Sequence, residues 1–336
     1  MSKISDVSKM AGVSNATVSR ILSGDASLRV SDETRSKVWD CALKLKYWPR
    51  PAPKHRIQAP KNTSDMLACV FSLTMEKYSD PFFTDALAGA ESKLNEAGLH
   101  FTVIRTYSEL LNQQILQSTF SQPISGLLLM EEIPKEMLKY IRQRVPYIVG
   151  LDTNYENIDN IGFDSHAASV KAVEHLVSRG RRRIAFIGGS GIDEPLSDSR
   201  RYKGYCLCLK NHGFDIITDL VKNCKWEQEL ARQCTRELLE MKEPPDAIFT
   251  CSDQIATAAL SVMYQQNIRV PDHMAIVGVN NNSITKFTSP PLTTVEVHAK
   301  QMGEAAAEML LKRIKGDKSA LRNIIFHTEL VLRAST

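Results

Sequence analysis

No apolar run in this 336-residue chain approaches the ~18 residues that a membrane-spanning helix requires. The first residues are polar rather than signal-like, so a cytoplasmic protein without membrane attachment is expected. The seven cysteines (Cys41, Cys69, Cys206, Cys208, Cys224, Cys234 and Cys251) are odd in number and form no CxxC pair. Reduced thiols are the simplest reading of that pattern. The eight histidines show no HxxxH or similar spacing, so no metal is assigned. Gly188-Gly189-Ser190-Gly191 lacks the GxGxxG spacing of a dinucleotide cradle, and no nucleophile–base constellation stands out. No cofactor and no enzymatic activity are therefore expected.

What is present is unevenly distributed. Residues 1–62 hold twelve Lys and Arg against five Asp and Glu, a net of +7. The whole chain is +4, so the other 274 residues sum to −3. A basic segment attached to a slightly acidic body is the electrostatic footprint of phosphate binding. The length exceeds what one core usually organises, which implies two or three domains.

The basic segment carries a helix-turn-helix pattern. Val7, Met10 and Ala11 recur at helical spacing, as do Val18, Ile21 and Leu22, with Gly12 to Asn15 between the two sets. Gly12 relieves strain in a tight turn, and Ser14 is placed to cap the second helix. The second helix of such a unit lies in the DNA major groove. A third amphipathic segment, 31–47, starts at a Ser31 cap with Thr34 three residues on and presents Val38, Ala42 and Leu45. Residues 49–63 then alternate prolines (Pro49, Pro51, Pro53, Pro60) with basic residues, forming a linker that leaves room only for a short helix over 53–59.

From Met66 onward short apolar runs alternate with amphipathic stretches. Strands are predicted at 67–73, 101–106, 126–130, 147–151, 183–187, 247–251, 275–279 and 326–333. Helices are predicted at 82–97, 135–144, 167–179, 199–211, 227–241, 254–266 and 299–314. This alternation predicts parallel sheets with helices on both faces, and the length suggests two of them side by side.

The string Asp6-Val7-x-x-x-Ala11-Gly12-Val13-Ser14-x-Ala16-Thr17-Val18-Ser19-Arg20 resembles the head of the LacI/GalR family of regulators. Later motifs agree in order: Asp80-Pro81-Phe82-Phe83, Arg183-Ile184-Ala185-Phe186-Ile187-Gly188-Gly189, Ser252-Asp253-Gln254 and Ser289-Pro290-Pro291-Leu292-Thr293-Thr294. Within the family the chain looks closest to galactose- and evolved-β-galactosidase-type repressors. The resemblance implies an all-α helix-turn-helix head (1–48), a hinge (49–63) and an α/β core (64–336). That core comprises two doubly wound parallel-sheet subdomains like those of periplasmic binding proteins. The first would span about 64–163 and 294–322, and the second about 164–293 and 323–336. Crossings between them are expected near 162–165, 292–295 and 322–325.

Asn15, Ala16 and Arg20 match the family's base-reading positions. Arg20 offers a bidentate fork to guanine, and Asn15 pairs with adenine or a phosphate. Ser5, Ser14, Thr17, Ser31, Thr34 and Tyr47 carry hydroxyls suited to phosphates. In the hinge the family's minor-groove Leu is missing. Ile57 is the wedge candidate, one residue out of register, with a merely tethering linker as the alternative. The expected effector residues are Asp80, Phe82, Phe83, Asp164, Arg201, Trp226, Ser252, Asp253 and Asn280. Arg201 would clamp sugar hydroxyls and Trp226 would stack. Phe83 reads equally as ordinary core, and Asp164 as a helix cap. Most family members carry Asp at the Asn280 position.

The leading reading is a transcriptional repressor of a sugar-utilisation operon. It would be a homodimer on double-stranded operator DNA, released by a small sugar, a galactoside first among candidates. The alternative is a co-repressed or protein-assisted carbon-catabolite regulator of the same fold. The family's tetramerising C-terminal heptad helix has no counterpart after 326–333, which favours the dimer.

Overall fold

The computed structural model describes residues 3–22, 28–45, 47, 66–72, 80–192 and 194–336. The hinge 49–63, with Ile57 and the short helix expected at 53–59, lies outside the described residues.

The described residues of the head form three helices: α1 (Ile4–Ala11), α2 (Asn15–Leu22) and α3 (Asp32–Lys44). Gly12 ends α1 in the left-handed region, φ 73°, donating its N–H back to Ser8. That conformation costs glycine nothing, and it reverses the chain into α2. Val7, Ala11, Val18, Ile21 and Leu22 close on Val38, Trp39, Cys41 and Ala42 of α3 to form a small core of their own. Met10, expected on the apolar face, is 48% exposed. Trp39 fills space that the spacing of smaller apolar residues did not reveal.

The rest folds into two six-stranded sheets of the same strand order. The first runs β2-β1-β3-β4-β5-β11, all parallel, from β1 (Leu67–Phe71), β2 (Phe101–Thr106), β3 (Gly126–Met130), β4 (Tyr147–Leu151), β5 (Asp159–Phe163) and β11 (Asn323–Phe326). The second runs β7-β6-β8-β9-β10-β12. It is built from β6 (Ile184–Gly188), β7 (Val221–Asn223), β8 (Ala247–Thr250), β9 (Ala275–Asn280), β10 (Thr293–Glu296) and β12 (Glu329–Val331). Only β12 is antiparallel. In β1, Leu67, Cys69 and Phe71 pack into one apolar cluster while Ala68 and Val70 pack into another. Burial on both faces explains why these strands read as continuous apolar runs rather than alternation.

Two expected crossings move. β10 pairs with β9, Thr293 opposite Val277, so 293–296 belongs to the second sheet and not to the first subdomain. The chain turns after it, at His298 (φ 61°), into the helix Ala299–Ile314. Likewise only β12 falls inside the predicted strand 326–333 and joins the second sheet beside β10, while β11 ends at Phe326 and joins the first sheet beside β5. Ile324–Phe326 and Leu330–Leu332 are two short apolar runs around His327-Thr328-Glu329, and nothing in such a pattern says which sheet each run joins.

Tight crossings hold the helices in place. A Cβ at Gly303 would sit 1.8 Å from the Ala86 carbonyl oxygen, and one at Gly89 would sit 2.0 Å from that of Lys300. The helices Pro81–Glu96 and Ala299–Ile314 therefore touch backbone to backbone. At the far end of the latter, buried Arg313 makes a bidentate pair with Asp159 of β5, at 2.7 and 2.9 Å. The same guanidinium donates to the carbonyls of Asp317, Ser319 and Ala320, so every ionised hydrogen-bonding group there is satisfied.

Candidate recognition surface and effector cleft

On α2 the buried Val18, Ile21 and Leu22 leave the opposite face to solvent, and that face shows Asn15, Ala16 and Arg20. Ser14, just before the helix, accepts the Thr17 N–H at 3.0 Å and bonds its hydroxyl at 2.8 Å. Ser31 does the same for Thr34 before α3. These caps satisfy orphan helix donors. They also set the hydroxyls of Ser14 and Ser31 at helix N-termini, where anions are favoured. Ser5 is half-buried in the first turn of α1, and Tyr47 is half-buried against the head core.

A cleft of about 830 Å³ opens between the two sheets. Its walls follow from topology. In each sheet the first strand lies between the second and third, so the loops on either side of it part at the strands' carboxyl ends. Ser72 follows β1, Glu131 to Ile133 follow β3, Asp152, Asn154 and Tyr155 follow β4, and Ser165 follows β5. From the second sheet come Gly189 to Gly191 after β6, and Asn223, Lys225 and Trp226 at and after the end of β7. Ser199 to Arg201, where the helix Arg200–Asn211 begins, complete the wall.

Arg201 is the centre of this arrangement. Its guanidinium carbon lies 5.3 Å from the Trp226 ring and 5.5 Å from that of Phe163. Its Nε is buried without a hydrogen-bond partner, a donor held ready and unsatisfied. The Trp226 indole N–H donates to the Ser190 carbonyl at 3.0 Å. A Cβ at Gly189 would meet the indole at 2.5 Å, so only glycine lets the ring lie there. Lys225 and Trp226 both hold positive φ, 51° and 66°. Two adjacent non-glycine residues in that region mark a local cost the fold sustains at the cleft. Across the gap, Asn154 donates to Glu132 at 2.8 Å and accepts a hydrogen bond from Arg200, linking the two lips.

The other expected effector residues do not line this cleft. Phe82 and Phe83 are 4% and 2% exposed and stack edge-to-face with each other and with Phe163 and Phe71. They are core, because their helix turns that face onto the sheet. Asp80 caps the same helix through the Phe82 N–H and also receives the Asn282 amide at 3.3 Å. Asp164 caps the helix Ser165–Ser178 through the Ala167 N–H. Ser252 caps the helix Asp253–Gln265. Asp253 is wholly buried and accepts the Thr294 hydroxyl at 2.5 Å and the Asn282 N–H at 2.8 Å. Burial pushes its carboxyl well above the usual carboxylate range. Asn280 ends β9 at φ 115°, and its Oδ1 is buried without a partner. Asp80, Asp253 and Asn282 thus form a buried polar seam beside the cleft rather than its wall.

Glu131, Glu132, Asp152, Asn154, Tyr155, Glu194, Arg200 and Lys225 line the cleft without having been anticipated. Most follow the carboxyl end of a strand by a few residues, and that position is the signal that would have found them.

Residues 3–50 match the family described as bacterial regulatory proteins, lacI family, and residues 173–336 match the periplasmic binding protein-like domain. The chain belongs to the LacI family. It is 28% identical to the HTH-type transcriptional repressor PurR of Photobacterium profundum, covering 100% of this chain and 98% of that one. It is also 28% identical to the HTH-type transcriptional regulator CelR of Thermobifida fusca, covering 98% and 96%. Among solved structures, a transcriptional regulator CelR–cellobiose complex matches at 26% identity and a TM-score of 0.75, with both chains fully covered. This LacI-family chain is a transcriptional repressor of that type, and its relatives are regulators rather than enzymes. Among its described residues no helix is long and apolar enough to cross a membrane.

Proposed function

We propose that this repressor binds operator DNA through α2 as a homodimer, and that a sugar seated in the inter-sheet cleft releases it. The observation that carries the effector reading is Arg201, with an unsatisfied buried Nε between two aromatic rings. A planar guanidinium donates parallel hydrogen bonds to vicinal hydroxyls, and Trp226 supplies apolar surface for a pyranose face. Glu131, Glu132 and Asp152 are acceptors for the hydroxyl protons. The cleft volume falls within the ~300–1,000 Å³ of ligand pockets and accommodates a disaccharide. The similar CelR, solved with cellobiose, supports that size. A galactoside is the first candidate, and β-glucosides are the comparison.

On the DNA side, Asn15 and Arg20 read bases, Ala16 offers a methyl, and the hydroxyls of Ser5, Ser14, Thr17, Ser31, Thr34 and Tyr47 set register on phosphates. The hinge joins head and core, with Ile57 as its wedge. Twofold symmetry matches two heads to a pseudo-palindromic site.

A thermal-shift panel of galactosides and β-glucosides, followed by operator binding with each hit, tests the effector. Stabilisation together with loss of operator binding is expected. A hit that tightens operator binding identifies a co-repressed regulator instead. Arg20→Ala should weaken operator binding by about 1–3 kcal/mol per half-site and leave the thermal shift unchanged. Unchanged operator affinity in that variant would refute the placement of the reading face.

A further inference from the structure

Away from the cleft, three donors of different chemistry converge on the outer face of the second subdomain. Glu174 lies on the helix Ser165–Ser178, Cys208 lies on the helix Arg200–Asn211, and His212 caps the latter. Their ligand atoms all fall within 4.8 Å of one another. We propose that Glu174, Cys208 and His212 form a binding site for one zinc-type divalent ion, completed by water.

The geometry supports this at several levels. Cys208 and His212 are four residues apart, so a helical turn brings both side chains to one face. Glu174 faces them from a helix in direct backbone contact, since a Cβ at Gly204 would lie 2.4 Å from the His166 carbonyl oxygen. The frame holding the donors is therefore stiff. Tetrahedral zinc with bonds of about 2.0–2.3 Å places its ligand atoms roughly 3.3–3.8 Å apart. His212 Nε2 lies 2.8 Å from Glu174 Oε2, and Cys208 Sγ lies 3.4 Å from the same oxygen. Rotation of exposed side chains opens these distances to the required ones.

Donor chemistry selects the ion. Thiolate, imidazole and carboxylate together suit zinc and its borderline neighbours, whereas calcium and magnesium prefer oxygen alone. Cys208 is fully buried behind the site, while Glu174 and His212 are exposed and leave the ion and its water a path in. Without an ion the three groups satisfy one another: the thiol donates to the carboxylate and the imidazole pairs with it. Burial first, and then the Glu174 carboxylate, push the thiol up to about 12. Metal binding forms the sulfur–metal bond and releases that thiol proton to solvent, so affinity should fall as pH falls. The sequence alone does not reveal this site, because one ligand comes from another helix and the Cys–His spacing is not a histidine pair.

The test uses the reduced, chelator-treated full-length protein titrated with cobalt(II), then with zinc(II). One equivalent per chain should give a thiolate-to-cobalt charge-transfer band that zinc abolishes, and zinc should raise Tm. Cys208→Ser should lose the band. His212→Gln, with its metal-free Tm recorded as the reference, should weaken binding more than about 10-fold. Absence of stoichiometric binding in the wild type would overturn the proposal. So would a band that survives both substitutions, which would place the metal on other cysteines.

Discussion

The two halves of the core share one strand order, yet the lips they present to the cleft differ in chemistry. Among the described residues the first half offers Glu131, Glu132 and Asp152 against one cation, Lys135. The second offers Arg200, Arg201, Lys225 and the Trp226 ring, with Glu194 and Asp198 among them. Topology fixes where the lips meet, and the few residues after each strand fix what they recognise. An acidic lip facing a more basic one favours closure, and a polyhydroxylated guest can accept from one lip and donate to the other. Asn154 shows the pairing in miniature, bonded to Glu132 on its own side and to Arg200 on the other.

The comparison breaks most severely if Phe82 belongs to the lips rather than to the core. Phe82→Ala should cost about 3–5 kcal/mol of stability, read as a lowered denaturation midpoint. The fraction that remains folded should keep its effector affinity, and a normal midpoint with lost effector binding would return Phe82 to the cleft.

The polar seam supplies the next effect. Asp253 has its folded-state pKa raised, so the native state holds a proton that the unfolded chain releases near pH 4. Its contribution to stability is complete below the unfolded pKa and is lost as pH rises through the folded one. Asp253→Asn should remove that downward slope in a series of melts from pH 4 upward. A variant whose melts retain the wild-type slope would show that another group carries it. The smallest effect concerns the lips themselves. Asn154→Ala removes one exposed bridge and should weaken effector binding by about 2- to 10-fold in calorimetry. Unchanged affinity would mean that the bridge plays no part in the liganded state.

Much of this architecture was legible because buried parallel strands such as Leu127–Leu129 and Ile148–Val149 are uninterrupted apolar runs. The head was legible because two helical periods flank a glycine turn. β5 was not anticipated, since Asp159-Asn160 reads as a loop until Arg313, 154 positions away, neutralises the aspartate. The crossings at 293–296 and 323–326 were misplaced because neither the resemblance nor an apolar run says which sheet a strand joins. In the cleft, Arg201 and Trp226 stood out as residue types with special chemistry. The carboxylates opposite them look like any solvated loop until six strand ends are brought together. Phe82 and Phe83 misled for the converse reason: an aromatic pair after a strand suggests stacking on a ligand, but here the partners are other rings.

The central claim is that Arg201 couples cleft occupancy to release of DNA. A ligand shifts an equilibrium only through its different affinity for the two states, so removing the donor should weaken the shift. The most direct measurement compares wild type and Arg201→Ala in operator binding across an effector titration, with Tm recorded on the same preparations. Loss of a charge-assisted contact of about 1.5–3 kcal/mol should move the release midpoint by roughly 10- to 150-fold, with operator affinity and Tm unchanged. A well-folded variant that releases DNA at the wild-type effector concentration would contradict the account.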